Sequence, residues 1–435
     1  MRSIHFTCIL LALLTFQSVS AEDLTATRPE MKKIISALKS RESRLPLPPP
    51  TEEERASGKS LVNNGRLRSL YLPPSWQSFT IAGWGGSRNR GSAATLKSLQ
   101  QSPDYAFKTR LFWIVSRTND CKYCLGHQEL KLRKAGMTDD QIASLDCQWD
   151  RFPASEQSAM KVAREMTIAP HLLSQSDLET MKSQHTDAQM IDLLYTIARY
   201  NCVNRWTSAT GIPQDQEFGG EHSELETPTS NEFLAVRSKV APFDHQERPD
   251  WESREQFEQA IAAARNRSPL VTLPSVEAAR SVLAKDSPGV IPPVWFQAVS
   301  ALPVAIDAWA QRQAIVRDGQ TAPELRILIA WVSARENRAW YSASHALQRI
   351  QAAGIDESKV YLFSDLEALC TVAGHAEALR FARKLTTSPH SIGDDDVARL
   401  KEHFSNHEVA EIIHLTADAN AFDRLTESLR LPIDQ

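Results

Sequence analysis

An all-α protein of two tandem helical units is predicted by three features of the sequence. Apolar residues recur at helical spacing through the long stretches after residue 29, and no comparable set of alternating strand patterns accompanies them. The length of 435 residues suggests two globular units of roughly 100 to 200 residues each, both large enough to bury a core. Residues of the first half also recur in the second at a nearly constant spacing.

The chain begins with Arg2 and His5 ahead of the apolar run 9–14, and Val19, Ser20 and Ala21 follow as small residues of the kind a signal peptidase reads. Residues 1–21 are therefore expected to be a cleaved secretory signal, too short to span a membrane, and the mature protein is expected to be exported to a periplasmic or extracellular location. Cys8 lies within that signal, which leaves Cys121, Cys124, Cys147, Cys202 and Cys370. In an oxidising compartment thiols tend toward disulfides, and an odd number leaves one unpaired.

Segment 22–65 reads as a charged helix at 30–44, stopped by the extended proline run 46–50. Within 66–215, residues 109–116 are dense in large apolar side chains and 120–135 continue at helical spacing. Thr138 to Gln141 has the form of a capping box, and 153–168, 177–184 and 187–206 are further helices. Segment 216–284 is a polar connector with one helical stretch at 254–265, and 285–435 is the second unit. With 49 basic against 53 acidic residues, and 42% hydrophobic residues, the composition excludes a disordered polymer and offers no argument for nucleic-acid binding.

The repeat keeps its register over most of the unit. Pro73, Pro74 and Trp76 recur 219 residues on as Pro292, Pro293 and Trp295; Arg117, Asn119, Tyr123 and His127 recur 218 residues on as Arg335, Asn337, Tyr341 and His345. The later matches, again at 219, include His171 with His390, Asn201 with Asn420, Arg205 with Arg424 and Pro213 with Pro432. Because Trp, Pro, His and Asn take part, generic amphipathic helices do not account for it.

The two copies differ where chemistry would sit. The first reads Asn119-Asp120-Cys121-Lys122-Tyr123-Cys124-Leu125-Gly126-His127, whereas the second has Ala339 and Ser342 in place of the cysteines. On a helix Cys121, Cys124 and His127 form a short stripe, in which the imidazole can reach the second sulfur. Asn119 or Asp120 could cap this helix and place Cys121 near its positive end, where a thiolate is favoured. Three other readings stay open: a plain disulfide, although so short a loop restrains little chain entropy; a metal site, which would need a fourth ligand; and a scaffold without catalysis. Haem attachment needs a histidine directly after the second cysteine, and Leu125 stands there.

These residues resemble the alkyl hydroperoxidase D-like, or carboxymuconolactone decarboxylase-like, superfamily of all-helical proteins. The resemblance rests on 114–124, His127, the Lys134-Ala135-Gly136 turn, and 197–201 with Arg205, and it extends through the degenerate repeat. It implies a thiol-dependent peroxidase or disulfide oxidoreductase in which Cys124 attacks, Cys121 resolves and His127 assists proton transfer. It implies no cofactor or metal, a peroxide or disulfide substrate, and recycling by a thioredoxin-like or small-thiol reductant. The superfamily's lyase branch, decarboxylation of a lactone acid, is a weaker alternative because that chemistry needs no thiol pair. Family members commonly pair through isologous contacts, so the two units are expected to pack through equivalent helices, and further self-association is left open.

Two departures from the peroxidase branch follow. His127 stands three rather than four residues after the second cysteine, and Thr109 occupies the place of the relay glutamate. Asp120 and Glu129 are the nearby carboxylates, each read foremost as a solvated helix-face charge. His345 is read as a hydrogen-bonding remnant, His171 and His390 as turn contacts, and Arg205 and Arg424 as partners for helix C-terminal carbonyls or a buried acid. Cys147 with Cys202 is the remaining candidate disulfide.

Overall fold

The computed structural model describes residues 26–56, 61–77, 105–215, 226–240, 250–284 and 286–434. These residues are all-α, with no strand among them. The expected signal at 1–21, Cys8 included, lies outside the described residues. Among the described residues no helix is long and apolar enough to cross a membrane.

Beside a short helix at Glu52–Ala56, the first half has α1 (Arg28–Ala37), α2 (Asn63–Tyr71), α3 (Tyr105–Thr118), α4 (Lys122–Lys134), α5 (Asp139–Ser144), α6 (Ala154–Ile168), α7 (Gln175–Lys182) and α8 (Asp187–Thr210). Between the halves run α9 (Arg254–Arg265) and α10 (Val276–Leu283). The second half holds α11 (Val294–Val299), α12 (Ala305–Arg317), α13 (Pro323–Asn337), α14 (Trp340–Ala352), α15 (Phe363–Leu369), α16 (His375–Thr387), α17 (Asp394–Lys401) and α18 (Asn406–Ser428). The order of α3, α4, α6, α7 and α8 thus recurs as α13, α14, α16, α17 and α18, with a 3₁₀ turn after both α6 and α16. Capping boxes start α5 at Thr138 and α8 at Thr186, where a hydroxyl accepts from the N3 amide and Gln reaches back to the cap.

The N-terminal helix ends earlier than its charge pattern suggests, at Ala37, and after a 3₁₀ turn the chain runs extended from Arg41. Tertiary contacts decide this. The Arg44 amide donates to Thr210 O at 2.9 Å and its guanidinium to Ser208 O and Ala209 O, so the strap satisfies carbonyls left open at the end of α8. The helix expected at 120–135 starts instead at Lys122, because Asp120 takes a left-handed φ of 54°. Its counterpart Arg338 does the same at 47°, and in both corners the following amide reaches back five residues, Cys121 to Ser116 and Ala339 to Ala334. The connector helix spans 254–265 as expected, and it is not merely polar: Phe257 packs its ring against Trp331, Trp340 and Tyr361.

The halves meet along α8 and α18, and their bonds are reciprocal. Arg205 donates to Thr386 O at 3.1 Å, and Arg424 donates to Thr167 O at 3.1 Å. Both arginines therefore serve carbonyls near the end of a helix in the opposite half. His171 reaches Asn337 O across the same interface at 3.2 Å, a cross-half contact rather than a local turn.

Candidate active site

The corner between α3 and α4 sets the site. A buried polar layer holds it in place: Asn119 Nδ2 donates to Asn201 Oδ1 and Asn204 Oδ1, and Arg205 donates to Asn201 Oδ1 at 2.9 Å. The repeat preserves this layer as Asn337, Asn420 and Arg424. Much of what recurs between the halves is thus the frame of the corner rather than reacting groups.

Cys121 is the N-cap residue of α4, and Cys124 lies in its first turn. The two cysteines approach to 2.9 Å without a disulfide, and Thr207 Oγ1 lies 3.1 Å from one sulfur and 3.2 Å from the other. Burial would raise both thiols. At Cys121 it is outweighed by hydrogen bonds from the Cys124 thiol, the Thr207 and Ser208 hydroxyls and the Cys124 amide, which hold this thiol below its ordinary value. Cys124, buried beside that charge, is pushed well above it. These contacts favour the thiolate on Cys121 over Cys124, whereas the family resemblance makes Cys124 the attacking thiol. No side chain caps the helix, so neither Asn119 nor Asp120 plays the expected part. Asp120 instead pairs with Lys122.

His127 follows on α4, 4.4 Å ring to ring from Tyr123. Its Nδ1 lies 2.9 Å from Tyr123 O and 3.1 Å from Gln214 Nε2, and its Nε2 lies 3.0 Å from Asp215 Oδ2. Asp215 also accepts from the Tyr123 hydroxyl at 2.8 Å and from the Asn63 amide at 2.7 Å. The sequence reading missed this carboxylate, although a signal existed: Asp434 stands 219 residues on, two places after the matched Pro432. The second half repeats the arrangement, with His345 Nε2 2.9 Å and Tyr341 Oη 2.6 Å from Asp434 Oδ2. Thr207 was missed in the same way, since Thr426 matches it and meets Ser342 at 3.3 Å.

The two carboxylates nearest in sequence are not solvated charges. Glu129 is buried and receives Arg28 Nη2 at 2.8 Å, with Arg133 beside it, and Asp120 is buried in its pair with Lys122. Both were expected to face water, and both instead form ion pairs inside the protein. The Thr109 hydroxyl donates to Tyr105 O in its own helix. Two turns beyond Cys124, burial pushes the Lys131 ammonium down to about 7.

The thiols are 1% and 2% exposed, so a reactant reaches them only when a covering segment shifts. The strap after α1 and the stretch after α8 join each other beside this corner. Gln214 N donates to Leu38 O at 3.1 Å, and Arg41 is close enough to Cys121 to feel its charge. Gly126 permits the closure: a Cβ there would stand 2.8 Å from Gln214 Nε2 and 3.0 Å from Ile35 Cγ2. Cys147, Cys202 and Cys370 are unpaired, so the Cys147–Cys202 bridge is not formed; burial raises Cys202 and Cys370 to about 11. No cluster of metal-binding side chains occurs among the described residues.

No protein-family model matches the chain. It is similar to an uncharacterized protein, YdfG, of Bacillus subtilis (strain 168), with 28% identity over 100 residues, or 22% of this chain and 68% of that protein.

Proposed function

We propose that the chain is an exported thiol-dependent oxidoreductase, a peroxidase or disulfide reductase of alkyl hydroperoxidase D-like type. It would be a tandem duplication in which only the first unit keeps the thiols. The observation that carries this reading is the convergence of two adjacent cysteines on one hydroxyl at a helix N-terminus, with a His–Asp pair one turn beyond. A plain structural disulfide would have no use for a stabilised thiolate or an oriented imidazole.

With a peroxide ROOH, a cysteine thiolate attacks one oxygen, the O–O bond breaks, and the alkoxide leaves with a proton supplied through His127. The sulfenic acid then condenses with the second thiol, releasing water and forming the Cys121–Cys124 disulfide, which an external dithiol reduces. With a disulfide substrate, the Cys121 thiolate attacks sulfur directly and Cys124 resolves the mixed disulfide. The resemblance assigns peroxide attack to Cys124, whereas the thiolate-stabilising contacts favour Cys121 as the attacking thiol. The reciprocal bonds of Arg205 and Arg424 support the duplication, because equivalent helices exchange equivalent contacts.

Peroxide and disulfide consumption with dithiothreitol or a thioredoxin as reductant tests the reading. Cys121→Ser and Cys124→Ser should each abolish steady-state turnover, and the variant retaining the attacking thiol should accumulate a sulfenic acid or mixed disulfide. If the two variants behave alike and neither alters consumption, the redox reading is lost.

A further inference from the structure

The second half carries a cavity where the first carries a plug. In the first half Phe112 on α3 and Tyr200 on α8 stack face to face, 3.9 Å between centroids and 2° from parallel. Their counterparts in the 218- and 219-residue registers are Ala330 and Ala419. Both alanines line a cavity of about 160 Å³, together with Ser342 and His345, the counterparts of Cys124 and His127. The loss of the thiols thus coincides with the loss of two rings that would fill the same place. A cavity of about 150 Å³ with apolar walls is enough to admit benzene.

The walls of this cavity are mixed. Trp295 and Phe422 supply flat apolar surface, while Arg312 and Arg349 bring two guanidinium groups. Arg312 lies over the Phe422 ring at 3.9 Å and is compensated by Asp418, 3.0 Å away. Arg349 is half-buried on α14, and no carboxylate pairs with it among the described residues; its charged neighbours are Arg312 and Arg326. His345 is held by Asp434, and the buried Asp423 accepts from Ser333 and Asn337 rather than from an arginine. Arg349 is therefore the lining arginine that makes no ion pair among the described residues, and Asp423, held by Ser333 and Asn337, is the lining carboxylate. Arg349 stands two turns after Ser342 on the same helix face, where the first half has Lys131.

We propose that this cavity is a binding site for a small monoanionic organic acid, its carboxylate on Arg349 and its apolar body against Trp295 and Phe422. A guanidinium that makes no ion pair offers its fork to one carboxylate, the lining carboxylate of Asp423 disfavours a multiply charged anion, and the aromatic walls favour an organic body over an inorganic ion. With serine and alanine at the cysteine positions, the site binds and does not turn over by thiol chemistry. The proposal does not depend on the redox reading of the first half.

Calorimetric titration of the full chain with benzoate, its neutral isostere benzamide, and inorganic phosphate tests it. Benzoate should bind one to one with a Kd below about 1 mM. Benzamide, phosphate and the Arg349→Gln variant should each show affinity lower by about tenfold or more, as loss of a charge-assisted bond implies. The double substitution Ala330→Phe with Ala419→Tyr, which rebuilds the plug, should abolish binding in a protein that keeps its helical circular dichroism. Absence of saturable benzoate binding overturns the proposal. So does equal binding of benzamide or phosphate, or unchanged benzoate affinity in Arg349→Gln, whether or not the plugged variant folds.

Discussion

The Nε2 of His127 lies 3.0 Å from the carboxylate of Asp215, and the same pair recurs in the second half as His345 with Asp434. A carboxylate at this distance stabilises the protonated form of the imidazole as a proton moves. Asp215→Asn keeps the shape and removes the charge. Turnover of peroxide or disulfide should fall by about 10²-fold, the lower end of what positioned acid–base catalysis contributes, and the pH–rate profile should change with it. A variant with wild-type turnover and profile would remove His127 from the proposed mechanism.

The fold class was legible because it rests on local signals. Capping boxes at Thr138 and Thr186 and the amphipathic stretch of the connector helix are decided within a few residues. The site was only half legible. Cys121, Cys124 and His127 share one helix, but their partners Thr207 and Asp215 lie more than 80 residues on, and only the arrangement of α4 against α8 brings them together. Glu129 read as solvated because its partner, the N-terminal Arg28, lies 101 residues away, and Asp120 because the left-handed corner that buries it with Lys122 leaves no mark in helical spacing.

That gap changes what should happen at Thr109. With Asp215 already against His127, a carboxylate at 109 supplies no missing partner. Thr109 is 1% exposed, so Thr109→Glu buries a charge without compensation, at about 3 kcal/mol. Denaturant unfolding should show that loss, with no gain in peroxidase rate. A faster and equally stable variant would mean that position 109 belongs to the relay after all.

The order of thiol acidity can be read by alkylation. Hydrogen bonds lower the Cys121 thiol and burial raises that of Cys124, so sub-stoichiometric iodoacetamide at pH 7 should label Cys121 first, as peptide mapping would show. Thr207→Val removes a hydroxyl that both sulfurs contact. The midpoint of the pH dependence of Cys121 alkylation should then rise by about one unit, the worth of one hydrogen bond to a charged group. Preferential labelling of Cys124 would restore the order that the family resemblance implies.

His414 makes stability depend on pH. The ring is buried between Trp76 and Trp206, and burial, with Arg68 nearby, pushes its pKa down to about 3. Below the ordinary histidine value the unfolded chain binds a proton that the native state refuses. Stability therefore falls as pH drops from about 6.5 toward 3, by about 1.4 kcal/mol per pH unit from this residue. His414→Gln does not titrate. The difference between the unfolding free energies of variant and parent should shrink with that slope on acidification, and a constant difference would show that the histidine is charged in the fold.

Arg199 and Asp418 are counterparts in the 219-residue register, and they face each other across the interface of the halves at 2.9 Å. Where a two-fold relation brings equivalent positions together, identical chains would set like charges against each other, here in a buried place. One arginine and one aspartate solve this only if the halves differ, as they do within one chain. Asp418 also receives Arg312, so Asp418→Ala leaves two buried or half-buried guanidinium groups without their carboxylate. It should cost about 3 to 5 kcal/mol in denaturant unfolding. The same argument bears on residues 66–215 expressed alone. Self-pairing along α8 would place Arg199 against Arg199, so this fragment should aggregate rather than form a clean dimer, and Arg199→Leu should shift it toward a discrete dimer in sedimentation. A stable monomer of the fragment would show that the second half is not needed to complete the first.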